Sequence, residues 1–170
     1  LWLRHPERRS YRGITFSPPR WEKGKAVEAC PADWYNLWRG FALRPAPPFS
    51  SAEDHRVMFS KLDGHITDNV CSGSQDLARW VYGWFAHMIQ RPSERIGTSL
   101  VLRGRQGTGK TIIGEAFGRL LGPHYTLVDD PRYITGNFNS HMASCLLLQA
   151  DEGFWAGDKI AEGRLKGLVT

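Results

Sequence analysis

The chain has 170 residues, 41% of them hydrophobic, and carries 22 Lys and Arg against 17 Asp and Glu, a net charge of +5. That length and apolar share suit a soluble globular domain, alone or with an appended part, and exclude a disordered polymer. No apolar run approaches a membrane span, the Arg-rich start is unlike a secretory signal, and the basic balance leans toward a nucleic-acid or nucleotide partner.

Residues 1–49 read as an irregular N-terminal and linker segment. Pro6, Pro18, Pro19, Pro31, Pro45, Pro47 and Pro48 interrupt every periodic run there, which excludes long helices. Arg4, Arg8, Arg9, Arg12 and Arg20 lie among Trp2, Tyr11, Phe16 and Trp21, a mixture of cations and aromatics that single-stranded nucleic acid binding uses. The plainer alternative, favoured by residue type, is solvated arginines over a small strand-and-turn layer, with most of the seven tryptophans in a core. Over 35–42, Leu37, Trp38 and Phe41 are expected to bury a short ordered segment.

Residues 50–92 read as a helical unit. Ser50 or Ser51 can cap a first helix that carries Val57, Met58, Leu62, His65, Ile66 and Val70 on one face. Gly64 weakens it, and the run from Cys71 to Ser74 ends it. A second, amphipathic helix is capped near Ser74 and runs through Leu77, Trp80, Val81, Trp84, Phe85 and Met88 to Gln90, before Pro92. Cys30, Cys71 and Cys145 are odd in number with no CxxC spacing, and the histidines show no ligand spacing, so neither a disulfide framework nor a protein-held metal is indicated and a reducing cytosol fits.

Residues 93–170 hold the chemistry. Ser99 to Leu102 reads as a buried strand that breaks into Gly104-Arg105-Gln106-Gly107-Thr108-Gly109-Lys110-Thr111, the Walker A spacing. Gly107 and Gly109 allow positive φ and close approach of backbone to phosphate, so that amide N–H groups form an anion nest at a helix start. Lys110 would neutralise β/γ-phosphate charge and the Thr111 hydroxyl would take one Mg²⁺ position. The nucleotide-contact set is Gly104, Gln106, Gly107, Thr108, Gly109, Lys110, Thr111 and Ile112, with ATP and Mg²⁺ as cofactors. Ile112, Ile113, Ala116, Phe117, Leu120 and Leu121 then repeat at helical spacing up to Gly122-Pro123. A strand over 124–128 follows, and a second apolar strand over 145–150 closes on Asp151-Glu152, the Walker B arrangement. Asp151 can hold the hydrated Mg²⁺ with Thr111, and Glu152 can polarise a water for attack on the γ-phosphate, which makes Lys110 and Glu152 the catalytic candidates.

The run from Asp151 to Lys159, with Gly136-Asn137-Phe138-Asn139 before it and the stretch from Leu165 to Thr170 after it, resembles the helicase module of phage and plasmid primase-helicases, superfamily-3 AAA+-like ATPases. Tyr35 to Gly40 and the region from His65 to Asn69 resemble the linker and helical segment that precede that ATPase. The resemblance implies an α/β P-loop fold with a parallel sheet. It implies a homo-oligomeric ring, usually a hexamer, moving on single-stranded DNA, fused to or associated with a primase or polymerase in a bacterial cytoplasm. It also implies basic DNA contacts near Lys159 and Lys166, although by residue type either lysine can equally be a solvated helix residue. The family's sensor residue and arginine finger would fall beyond Thr170, so the chain reads as a piece of something longer. The family's sheet order would place a later strand between the P-loop and Walker B strands, so these two are expected either to pair directly or to leave a gap. Two further readings stay open: a P-loop small-molecule or nucleoside kinase, disfavoured because Glu152 suits water activation, and a non-catalytic nucleotide- or DNA-binding module.

Overall fold

A computed structural model describes residues 2–23, 25–44, 52–130, 132–135, 140–151, 163 and 166–169. The N-terminal part contains four three-residue strands, β1 (Gly13–Thr15), β2 (Arg20–Glu22), β3 (Lys25–Val27) and β4 (Trp34–Asn36). β1 pairs in parallel with β4, and β2 with β3 as a hairpin. The prolines allow no more, since each removes a ladder donor and fixes φ. Among the described residues Trp21, Trp34 and Trp80 are exposed, while Trp38 and Trp84 are half-buried and Trp84 packs against the core, so the expected tryptophan core forms only in part.

The helical unit consists of α1 (Ala52–Gly64) and α2 (Gln75–Gln90). α1 does not end at Gly64, which stays right-handed. It widens into a π-turn over His65–Val70, with Cys71 N–H donating to the Ile66 carbonyl five residues back. Ser74 caps α2, its hydroxyl accepting from Leu77 N–H. The buried face of α2 is Ala78, Val81, Phe85 and Met88. Leu77 and Trp80 lie outside it, and Val57 of α1 is 70% exposed, because the π-turn and Phe85, rather than a full two-helix seam, carry the packing. The Phe85 ring stacks on Phe117 at 3.8 Å, which joins this unit to the next helix.

That helix, α3 (Lys110–Leu121), starts at Gly109 (φ +78°) and stops at Gly122 (φ +59°). It lies on a parallel pair, β5 (Tyr125–Val128) and β6 (Leu147–Ala150), in register Tyr125 with Leu147 to Val128 with Ala150. Leu147 and Val128 are buried while Ala150 is open, so β6 is covered only in part rather than on both faces. A short helix, α4 (Arg132–Thr135), follows β5. The core comprises Ile66, Phe85, Met88, Ile113, Leu121 and Leu147 with their neighbours.

The strand expected over 99–102 does not form: among the described residues 98–103 join no ladder, and Val101 is 76% exposed. A strand needs a hydrogen-bonded neighbour, and β propensity alone does not supply one. Residues 98–103 do not pair with β6; a cavity of about 580 Å³ lies between the segment 95–99 and residues 145–148. The fold is therefore mixed α/β with small parallel sheets. Among the described residues no helix is long and apolar enough to cross a membrane.

Candidate functional site

Two local devices shape the glycine loop. Gly107 and Gly109 both take φ +78°, a conformation that side chains disfavour, so the expected backbone freedom is used at both positions. At Gly109 a second constraint applies, because an added Cβ would lie 2.6 Å from the His65 ring. Lys110 folds its amine back onto the loop, Nζ donating to the carbonyls of Gly104 (3.1 Å) and Arg105 (2.9 Å). Thr108 Oγ1 donates to the Arg105 carbonyl, which closes the loop on itself. Gln106 and Ile112 are exposed at its rim.

The other half of the site comes from the sheet. Asp151 N–H donates to the Val128 carbonyl, which extends the β5–β6 ladder by one residue and holds Asp151 at the strands' carboxyl end. There the Thr111 hydroxyl donates to Asp151 Oδ2 at 2.6 Å. Two residues 40 apart in sequence thus present their oxygens side by side at the start of α3. A hydroxyl and a carboxylate next to an anion nest are the oxygen donors that a hydrated Mg²⁺ accepts. The groups present fit a magnesium-bound phosphate chain.

Three contacts beyond the motif hold this geometry. Gln149 Nε2 donates to the Thr111 carbonyl (3.1 Å) and Gln149 Oε1 accepts from Tyr125 O–H (2.7 Å), bridging α3 to both strands. Gly114 and Gly118 give α3 a face without side chains: a Cβ at Gly114 would meet Gln149 Oε1 at 1.9 Å, and one at Gly118 the Tyr125 ring at 2.5 Å. Burial raises the Tyr125 pKa, with Glu115 and Asp151 adding to it, so its hydroxyl stays a donor. On the far side of the loop, His65 Nε2 lies 3.0 Å from the Gly109 carbonyl and its Nδ1 3.0 Å from Asn69 Nδ2. A carbonyl only accepts, so Nε2 carries the proton and Nδ1 accepts from the Asn69 amide. His65, Asp68 and Asn69 wall a cavity of about 650 Å³ whose other side is Leu102 to Gly104 and Gly107 to Lys110.

The structure therefore brings together Gly104, Gly107, Thr108, Gly109, Lys110, Thr111 and Asp151. Glu152, Lys159 and the run Gly136 to Asn139 lie outside the described residues. Lys166 is helical and exposed. His65, Gln149 and Tyr125 were not singled out for the site from sequence. The one signal was the spacing of Gly114 and Gly118, four residues apart on one helix face.

Residues 102–170, under half of the chain, match the model of a family of unknown function, DUF5906. No curated protein matches. A solved structure of the NrS-1 C-terminal region, in its apo A form, superposes with a TM-score of 0.65 at 18% identity, covering 94% of this chain and 36% of that one. The likeness is one of fold, and it extends over the N-terminal and helical parts as well as the loop. The chain spans just over a third of that structure's length.

Proposed function

We propose that this chain is the ATP-binding and hydrolysing module of a replicative DNA helicase of primase-helicase type. The Thr111–Asp151 hydrogen bond at 2.6 Å carries the reading, because it joins the two metal-donor positions of separate motifs at one end of one helix. A bound Mg²⁺ would supply charge neutralisation on the phosphates, held by the Thr111 hydroxyl and, directly or through water, by Asp151. Amide groups of Gly107 to Thr111 bind the phosphate oxygens, and Lys110 exchanges its two loop carbonyls for phosphate. Glu152, next in sequence to Asp151, orients and deprotonates the attacking water. Single-stranded DNA, a homo-oligomeric ring, a fused or associated primase and a bacterial cytoplasm belong to the same proposal.

The test is binding of a fluorescent ATP analogue with Mg²⁺, followed by turnover with and without single-stranded DNA. Binding should fall at least about tenfold in Lys110→Ala, the loss of more than one charge-assisted contact. DNA-stimulated turnover should vanish in Glu152→Gln while binding persists. Nucleotide affinity unchanged in Lys110→Ala would overturn the proposal.

A further inference from the structure

The nucleotide site accounts for none of the chain's net charge. Residues 1–44 hold nine Lys and Arg against four Asp and Glu, whereas residues 45–170 hold thirteen of each, so the entire +5 belongs to the N-terminal unit. Folding leaves that charge open. Arg12 pairs with Asp33 at 3.3 Å with both side chains exposed, and among the described residues none pairs with Arg8, Arg9 or Arg20.

The same unit displays aromatic rings where a core would hide them. Tyr11, Trp34 and Tyr35 are 41%, 39% and 37% exposed. They are nonetheless held in place. The Trp34 ring lies over Gly13, its β1 partner in register, where a Cβ would approach it to 2.8 Å. Tyr11 meets Tyr35 edge-on at 5.3 Å. The Arg39 guanidinium lies 4.9 Å over the Tyr35 ring and donates to its hydroxyl, while Arg39 N–H is anchored on His124 Nε2 at 3.0 Å. Rings fixed by their neighbours but open to solvent lose little entropy on binding, and every base has a face to stack on them.

We propose that the side of the β1–β4 pair that presents Tyr11, Tyr35 and Arg39, opposite to Trp34 because neighbouring strand residues alternate, binds single-stranded nucleic acid, bases against the rings and phosphates against the unit's unpaired arginines. It rests on the single-stranded partner of the proposed function, and adds where that strand lies: on the N-terminal unit rather than at Lys166. The strand must be single, because duplex bases have no free faces. The unit's described helix is one three-residue turn, Trp2–Arg4, too short to enter a major groove. An acidic protein would answer the charge but leave the rings without a role.

The experiment is fluorescence anisotropy of the full chain with a labelled oligo-dT of about 15 nucleotides, within the reach of such surfaces, over a series of salt concentrations. The double variant Tyr11→Leu/Tyr35→Leu should weaken binding by about tenfold, and Tyr35→Phe should retain it, since stacking needs the ring and not the hydroxyl. The triple variant Arg8→Gln/Arg9→Gln/Arg20→Gln should lower the slope of log K against log salt by about 2, at roughly 0.7 per phosphate on a single strand. These arginines are exposed, so their loss does not threaten folding. Binding of the fluorescent ATP analogue should be unchanged in every variant, which separates this surface from the nucleotide site. Lys110→Ala should bind the oligonucleotide normally. Oligonucleotide affinity insensitive to both variant sets, or lost instead in Lys166→Gln, would overturn the proposal. Equal affinity for polyglutamate, unaffected by loss of the rings, would overturn it in favour of an acidic protein partner.

Discussion

The two ends of α3 are built from different materials. At its N-terminal end, polar side chains meet: Lys110 on loop carbonyls, Thr111 on Asp151, His65 on Gly109. At its C-terminal end, packing is dry and close. Gly118 lies under the Tyr125 ring, and a Cβ at Gly122 would come within 2.7 Å of Ala42. His124 stacks on Trp38, and Phe16 meets both rings at an angle. The difference separates labour. Contacts that must exchange for phosphate and metal are hydrogen bonds, individually worth about 1 kcal/mol and replaceable. Contacts that keep the helix in register are chiefly steric and have no substitute, with the Gln149 bridge and the Ala42 N–H bond to the Leu120 carbonyl beside them.

The strongest way to break the comparison is to fill the steric end. Gly118→Ala drives a Cβ to 2.5 Å from a ring whose hydroxyl is already bonded to Gln149, so the ring cannot swing aside without losing that bridge. We expect a loss of about 2–3 kcal/mol, the upper range for overpacking a filled site, measured by urea denaturation. A change below about 0.5 kcal/mol would mean that the sheet moves freely beneath α3 and that its register is not set there.

His65 sharpens the contrast from the other end. His65→Ala removes the bond to the Gly109 carbonyl and should weaken ATP-analogue binding by about fivefold to tenfold, the worth of about one hydrogen bond. Stability should change by less than about 1 kcal/mol, since the residue is only partly buried. Asn69→Ala should have a smaller effect in the same direction, because the described hydrogen bond of Asn69 is to His65 and not to the loop itself. Equal losses of affinity and stability in His65→Ala would show that the polar end is structural too.

Much of this was readable from local sequence. Positive φ at Gly107 and Gly109, the span of α3, the Ser74 cap and the strands before and at the Asp-Glu pair follow from patterns a few residues long. The contacts that organise the site do not. His65 meets Gly109 across 44 residues, and Gln149 meets Thr111 across 38. Nothing in the spacing of either chain segment encodes the other. The widening of α1 at His65 is equally silent, since a π-turn is selected by what it packs against. Ser99 to Leu102 shows the converse failure: a run with strand composition remains irregular because its neighbour must come from elsewhere in the fold. The tryptophans mislead for a related reason. Residue type favours burial, but the proline-broken N-terminal unit offers little interior to Trp21 and Trp34, and Trp80 falls off the buried face of α2.

The dry end also contains a buried histidine that titrates near neutral pH when exposed, and it gives the comparison a pH dependence. His124 is fully buried. Its Nδ1 lies 2.8 Å from the Ser144 carbonyl and so carries the proton, while Nε2 accepts from Arg39 N–H. Burial pushes its pKa below the ordinary 6.5, the nearby Arg39 charge adds to this, and the Ser144 carbonyl opposes it only in part. Protonation would set a second N–H against the Arg39 N–H inside a stacked ring cluster. A histidine with a lowered folded pKa binds fewer protons folded than unfolded, so its contribution is complete above about pH 6.5 and is lost as pH falls toward the depressed value. Chemical denaturation from pH 7.5 to 5.5 should therefore show falling stability, with a shallower fall in His124→Gln, whose amide can donate to Ser144 and accept from Arg39 without titrating. Since the same Arg39 N–H tethers the N-terminal unit, acid should loosen that unit from α3. Identical pH slopes in the two proteins would place the proton uptake at another group and leave the dry end insensitive to pH.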